Sequence, residues 1–189
     1  GWGRIPLFTG IDFGRINLRE VDSDAPFVFH EASVDNIDYN DVDASSTHGA
    51  TTATLNITGT YTGEIDDSFV MVITGAPTVS ASDKIHGATF EIIRNSDGEI
   101  VASGNLDDSD FNGTSQHIDI DNGLLVQVVV TAGVLDENDT FTFQVHPDNR
   151  KFKFAVEGVA GSEYTMLSTT YTTVASFIAA ANALLSGED

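Results

Sequence analysis

Apolar and polar residues alternate with a period of two along most of this chain. In residues 54–61, Leu55, Ile57 and Gly59 fall on one side and Asn56, Thr58 and Thr60 on the other, the pattern of a half-buried strand. Residues 68–74 hold Phe69, Val70, Met71, Val72 and Ile73, apolar on both faces, which predicts an interior strand. Residues 88–94 and 99–103 flank Asn95-Ser96-Asp97-Gly98, whose Asp-Gly pair readily supplies the positive φ of a hairpin turn. Residues 116–120, 123–131 and 140–145 add three more strands, punctuated by Asp121-Asn122-Gly123 and Ala132-Gly133. Many short strands at this turn spacing predict a mainly β fold, an antiparallel β-sandwich or partly open barrel.

The two ends of the chain read differently. Residues 1–14 mix Trp2, Phe8 and Phe13 with Gly and Pro, and residues 25–30 make one short strand. From Asp35 to Gly49 the sequence turns polar and acidic, which predicts a loop or linker. At the far end, residues 151–156 and 163–167 bracket a turn over 157–162 to form a second hairpin. A run of alanine and aliphatic residues over 174–185 follows, opened by Thr172-Thr173 and stopped by Gly187, which predicts a helix. Its stripe of Val174, Phe177, Ile178, Ala181, Leu184 and Leu185 is core-facing and is expected to dock on the preceding hairpin. The expected organisation is an arm and acidic linker over 1–50, a β-sandwich over 51–147, and a β-hairpin plus α-helix over 148–189.

Composition narrows the function. The chain has 189 residues, enough for one large domain or two small ones. It carries 29 acidic residues against 8 basic ones, a formal net charge of −21. That field repels nucleic acid and anionic membrane, whose binding needs clustered Lys and Arg. Cysteine is absent, which removes disulfides, thiolate metal sites and cysteine catalysis together. No apolar run reaches the length of a membrane-spanning helix.

Chemistry is thin. There is no phosphate-binding glycine loop and no nucleophile elbow, and the five histidines are scattered without zinc-ligand spacing. Paired carboxylates and scattered tyrosines do not nominate a glycosidase or a sugar-binding face. Asn56, Asn112 and Asn138 head glycosylation patterns, which are common by chance. Three acidic loops gather oxygen ligands of the kind calcium prefers: Asp107, Asp108 and Asp110; Asp119 and Asp121; Asp136 and Asp139. None matches the calcium-loop signature, so these are candidate metal ligands and no resident cofactor other than calcium is expected. The arm offers a different site. Trp2, Arg4, Phe8, Phe13, Arg15 and Arg19 combine aromatic and basic side chains, the types that interface cores enrich, and are expected to bind a partner.

One resemblance runs through residues 54–185. The opening Gly59-Thr60-Tyr61-Thr62-Gly63 precedes the strand 69–73. Thr89-Phe90-Glu91-Ile92, the Asp97-Gly98 hairpin and the strand 121–128 come next. The closing unit runs from Gly133 through Asp136-Glu137-Asn138-Asp139 to Phe141-Thr142-Phe143. This order resembles β modules of bacteriophage virion and tail structural proteins and of flagellar hook-associated, flagellin-like proteins. Residues 152–185 resemble the hairpin-plus-helix insert of the same group. The chain departs from that pattern at Asn138, where a Gly normally precedes the Asp, and residues 1–49 have no counterpart. The resemblance implies a non-enzymatic structural protein located in a virion, as capsid decoration or cement or as a tail or fibre component. Its partners would be identical subunits and other virion proteins. The alternative is an extracellular bacterial appendage or calcium-binding adhesin domain at the cell surface.

Overall fold

The computed structural model describes residues 11–12, 27–43, 49–77, 84–156 and 159–185. It is mainly β, with antiparallel sheets and one helix near the C-terminal end. Contacts divide the chain into two units, one made of Ala32–Pro147 and one of Gly1–Glu31 with Asp148–Asp189.

The continuous unit is a sandwich. Its larger sheet joins β3 (Ser33–Asn40), β10 (Thr140–His146), β5 (Asp67–Gly75), β6 (Thr89–Arg94) and β7 (Ile100–Asn105) in that order. The smaller sheet joins β4 (Thr52–Gly59), β9 (Leu124–Ala132) and β8 (Ile118–Ile120). Alternation in the sequence decides what goes inside. Phe69, Met71 and Ile73 of β5, Phe90 and Ile92 of β6, and Phe141 and Phe143 of β10 share one core with Leu55, Val126, Val128 and Val130 of the smaller sheet. The rings of Phe69 and Phe143 stack at 5.1 Å. A buried aromatic or branched side chain of this size contributes roughly 1.5–3 kcal/mol, so this core supplies most of the unit's stability.

Two glycines fix the strand ends. Gly98, at φ +74°, closes the β6–β7 hairpin where the Asp-Gly pair predicts it. Gly59, at φ +96°, ends β4; a Cβ there would lie 2.2 Å from the carbonyl oxygen of Gly123. That close approach stops the strand short of Tyr61, where the alternation alone extends it. Tyr61 is instead buried, and its hydroxyl donates to the Ile65 carbonyl.

The acidic stretch after Val34 is no linker. Residues 33–40 form the edge strand β3, paired with β10 from Ser33↔His146 to Asn40↔Thr140. Its period is broken where the register shifts between Thr142 and Gln144, beside Asn36 at φ +50°, so its apolar positions slip phase and the sequence pattern fails. The boundary between units therefore falls at Glu31 and Ala32, not near residue 50.

The discontinuous unit holds a sheet of β1 (Ile11–Asp12), β11 (Lys151–Val156) and β12 (Val159–Thr165), and a pair of β2 (Phe27–Phe29) with β13 (Thr169–Tyr171). The hairpin is tighter than its sequence suggests, because Val159 and Ala160 already pair with Val156 and Ala155. Asn149 and Arg150 clip the unit's two segments together: Asn149 bonds the backbone of Val28 and His30, and Arg150 bonds Glu31 and Asp148. Helix α1 (Val174–Leu185) forms where the alanine run predicts it, and Thr173 Oγ1 accepts from the Ser176 N–H as its N-cap. Phe177 and Ala181 are buried, with Ile178 and Leu184 half-buried. Val174 and Leu185 lie outside the described side chains. Phe177 stacks on Phe29 of β2 at 5.7 Å and meets Tyr171 of β13 edge-on, so the β2–β13 pair is the helix's main seat.

Because Phe177 and Phe29 fill one small core with Met166, Phe177→Ala is expected to destabilise this unit by about 3–5 kcal/mol. Thr173→Ala, which removes only the cap, is expected to cost about 1 kcal/mol. Urea unfolding of the two variants, followed by far-UV circular dichroism, checks the ranking.

Candidate functional site

The acidic loops are the first candidates, and the carboxylates of Asp107, Asp108, Asp121 and Asp139 are engaged within the fold. Asp139 is fully buried. Its Oδ1 accepts from the Val42 N–H at 3.0 Å, and its Oδ2 from the Tyr39 hydroxyl at 2.7 Å and the Asp136 N–H at 2.9 Å. Asp108 is almost as buried and accepts from the N–H groups of Asn112 and Gly113, which folds its loop back on itself. Asp121 pairs with Arg94, which also holds Asp97 and Glu99. Asp107 lies 3.4 Å from His86, whereas Asp110 and Asp119 are exposed. Among the described residues no group of three or more His, Asp or Glu side chains is placed to hold a metal ion.

Burial drives the electrostatics of the Asp139 site. The Tyr39 phenol is pushed well above its ordinary value of 10, first by burial, then by its hydrogen bond to Asp139 and that residue's charge. Arg94, bonded first to Asp97, holds that carboxyl below its ordinary range. The described basic side chains are similarly taken up. Lys84 reaches the carbonyls of Val130 and Thr131, Arg150 pairs with Glu31 and Asp148, and Lys151 lies 3.8 Å from Glu163.

A shallow cleft of about 440 Å³ opens at one end of the larger sheet, lined by Asp66, Asp67, Ser68, Asn95, Ser96, Gln144 and His146. The His146 ring lies between Asp66 at 3.1 Å and Asp35 at 3.4 Å. Ser96 donates to Asp67, and Asn95 donates to Ser68. These contacts tie β3, β5 and the β6–β7 turn together, a bracing role for the polar groups of the cleft.

The smaller sheet presents the more distinctive surface. Thr52, Thr54, Asn56 and Thr58 of β4 point outward and are exposed. Beside them stand Leu125, Gln127, Val129 and Thr131 of β9, exposed or half-exposed. Asn56 donates to Gln127 across the pair at 3.3 Å. None of these outer positions is charged, in a chain of net charge −21; the first outward charge on this sheet is Asp119 of β8. Sequence reasoning missed this face. The period of two was visible in both strands, but nothing in it said that β4 pairs with β9, more than sixty residues away.

The arm residues expected to bind a partner, Trp2, Arg4, Phe8, Phe13, Arg15 and Arg19, lie outside the described residues. Between them Ile11 and Asp12 are described, and pair with Phe154 and Lys153 of β11. No protein-family model, curated protein or solved structure matches the chain.

The raised Tyr39 pKa fixes the sign of a pH effect. Below pH 10 the neutral phenol contributes its full share of stability. Above it the unfolded chain ionises while the folded phenol does not, so that share is lost as pH rises towards the folded value. Tyr39→Phe is expected to cost about 1–2 kcal/mol at neutral pH and to flatten the alkaline fall relative to the parent protein. Denaturant midpoints from pH 7 to 11 on both proteins measure it.

Proposed function

We propose that this chain is a non-enzymatic structural subunit of a bacteriophage virion, a capsid decoration or cement protein or a tail or fibre component, that acts by binding neighbouring subunits. The uncharged outer face of β4 and β9 carries the reading. A freely solvated surface in so acidic a chain has no reason to be cleared of charge over two whole strands, whereas interface cores are depleted of charged residues. The remaining acidic surface keeps subunits soluble and apart until that face is engaged.

The motif order from Gly59 to Phe143, similar to virion and tail β modules, supports the same class. The sandwich beneath it supplies rigid, hydrogen-bonded strands on which such a face keeps its shape. The aromatic and basic arm is the second contact. Its Arg4, Arg15 and Arg19 suit an acidic neighbour, and Trp2, Phe8 and Phe13 supply apolar anchors. Engagement of Lys84, Arg94 and Arg150 by carbonyls and carboxylates leaves little cation to offer phosphate, which favours protein partners over nucleic acid.

The test is stoichiometry. Particles banded on a density gradient and quantified by mass spectrometry are expected to contain the chain in a fixed whole-number ratio to the major shell or tail protein. Recovery from a cell-surface or appendage fraction instead overturns the virion assignment. Arg4→Glu, Arg15→Glu and Arg19→Glu together, which spare β1, are expected to lower occupancy on the particle. The purified protein is expected to leave labelled duplex DNA unshifted at moderate salt.

A further inference from the structure

Edge strands of a sandwich are open templates for pairing, and proteins normally blunt them. Among the described residues the sandwich has four edge strands, and three of them are blunted. β3 carries Asp35 and Asp38 and breaks its register beside Asn36. β8 has only three residues. β7 has six, with a register break between Ile92 and Ile93 of its neighbour β6. β4 is different. It runs for eight residues, Thr52–Gly59, with neither charge nor proline, and its register break lies at its first residue. Among the described residues β9 is the strand that pairs with it, and its other side carries none.

From this edge we infer that two copies of the chain pair through β4, antiparallel about a twofold axis at Leu55, to make one continuous sheet across the dimer. The inference rests on the assembly reading above and names one of its partners, a second copy.

The faces set the parity of the register, and Leu55 lies at the middle of the stretch Thr52–Thr58. A twofold centred on Leu55 sets Thr54 opposite Asn56 of the second copy, Ala53 opposite Ile57 and Thr52 opposite Thr58. Directly opposed residues of an antiparallel pair share a face, so Ala53, Leu55 and Ile57 continue the apolar side, while the threonines and Asn56 continue the outer side. A centre between two residues would oppose Thr54 to Ile57 and put polar against apolar. The strand is thus self-complementary in one parity only. Charge makes a second copy the fitting occupant. Two bodies of net charge −21 can meet in such a pairing only where neither brings charge, and β4 opposes none. The Asp119 residues of the two copies would stand five strand spacings apart, about 24 Å. That is well beyond a Debye length of about 8 Å at physiological salt. The opposing term is the charge on β3, which lies beside β4 and carries the exposed Asp35 and Asp38 on the same side of each copy's sandwich. Salt screens that repulsion, so the dimer strengthens as salt rises, the reverse of an association built on opposite charges.

Sedimentation velocity on the full chain tests this. The parent protein is expected to be dimeric, with a dissociation constant that falls when salt is raised from low to physiological concentration. Thr54→Asp with Asn56→Asp, and separately Thr54→Lys with Asn56→Lys, oppose like charges across the axis. Each double variant is expected to be monomeric with parent-like circular dichroism, and an equimolar mixture of the two to recover a dimer. A parent protein that stays monomeric at high concentration overturns the pairing, as do double variants that remain dimeric alone. A mixture that fails to recover a dimer does so too. If the double variants remain dimeric while the parent chain is found on particles, the self-pairing falls and the virion reading stands; a chain absent from particles but dimeric through β4 fails the other way.

Discussion

A carboxylate with no exposure to water must be given donors by the protein or lose its charge, and Asp139 is given three. They come from three places: the Tyr39 hydroxyl on β3, the backbone of Val42 beyond it, and the backbone of Asp136 in the turn before β10. The same residue's carbonyl accepts from the Ile73 N–H of β5. One residue thus holds the edge strand, the exit from that strand and the β9–β10 turn through its side chain, and the centre of the larger sheet through its carbonyl. A few residues on, Asp41 accepts from the Thr51 N–H and Thr51 donates to the Val134 carbonyl. Together these fasten the crossing from β3 to β4 where the chain passes between sheets. Tyr39 completes the arrangement by packing its ring on Phe141 at 4.8 Å.

That frame explains how so acidic a chain folds at all. Self-repulsion is relieved by sending carboxylates to loops and edges, and by using scarce cations as cross-links. Arg94 gathers Asp97, Glu99 and Asp121 at one end of the sandwich, and Arg150 joins the two chain segments of the other unit. Exposed pairs of this kind add little stability each, so their value here is in fixing loop geometry. Cohesion comes from the aromatic and aliphatic core, which the alternating strands fill from both sheets.

The contrast between β3 and β4 connects this economy of charge to function. Both are eight-residue edge strands, and they are neighbours in sequence. β3 has the acidic residues and broken register that discourage pairing. β4 has neither, and its outer face continues uncharged onto β9. One edge is thus blunted by charge and a bulge, and its neighbour in sequence is left with neither. The self-pairing proposal builds on that asymmetry, and the virion proposal on the uncharged face beside it.

Strand positions, the Asp97-Gly98 hairpin and the C-terminal helix were legible in the sequence because each is a local property. Alternation, turn chemistry and a capped alanine run act over a few residues and leave their mark there. What the sequence left hidden depends on pairing at a distance. β3 reads as a loop because an exposed edge need not be apolar and its bulge shifts the phase of Ile37 and Tyr39 against Val34. Asp136 and Asp139 read as metal ligands because acidic residues close in sequence look like a coordination loop. In the structure Asp139 accepts hydrogen bonds from β3 and the segment after it, roughly a hundred residues earlier in the chain, and nothing near it in sequence marks those partners. The uncharged face needed β4 and β9 side by side before its eight polar and apolar positions became one surface. Period-two patterning decides which side of a strand faces in, but only tertiary pairing decides which strands share a face, because that choice is set by contacts between segments that carry no mark of each other.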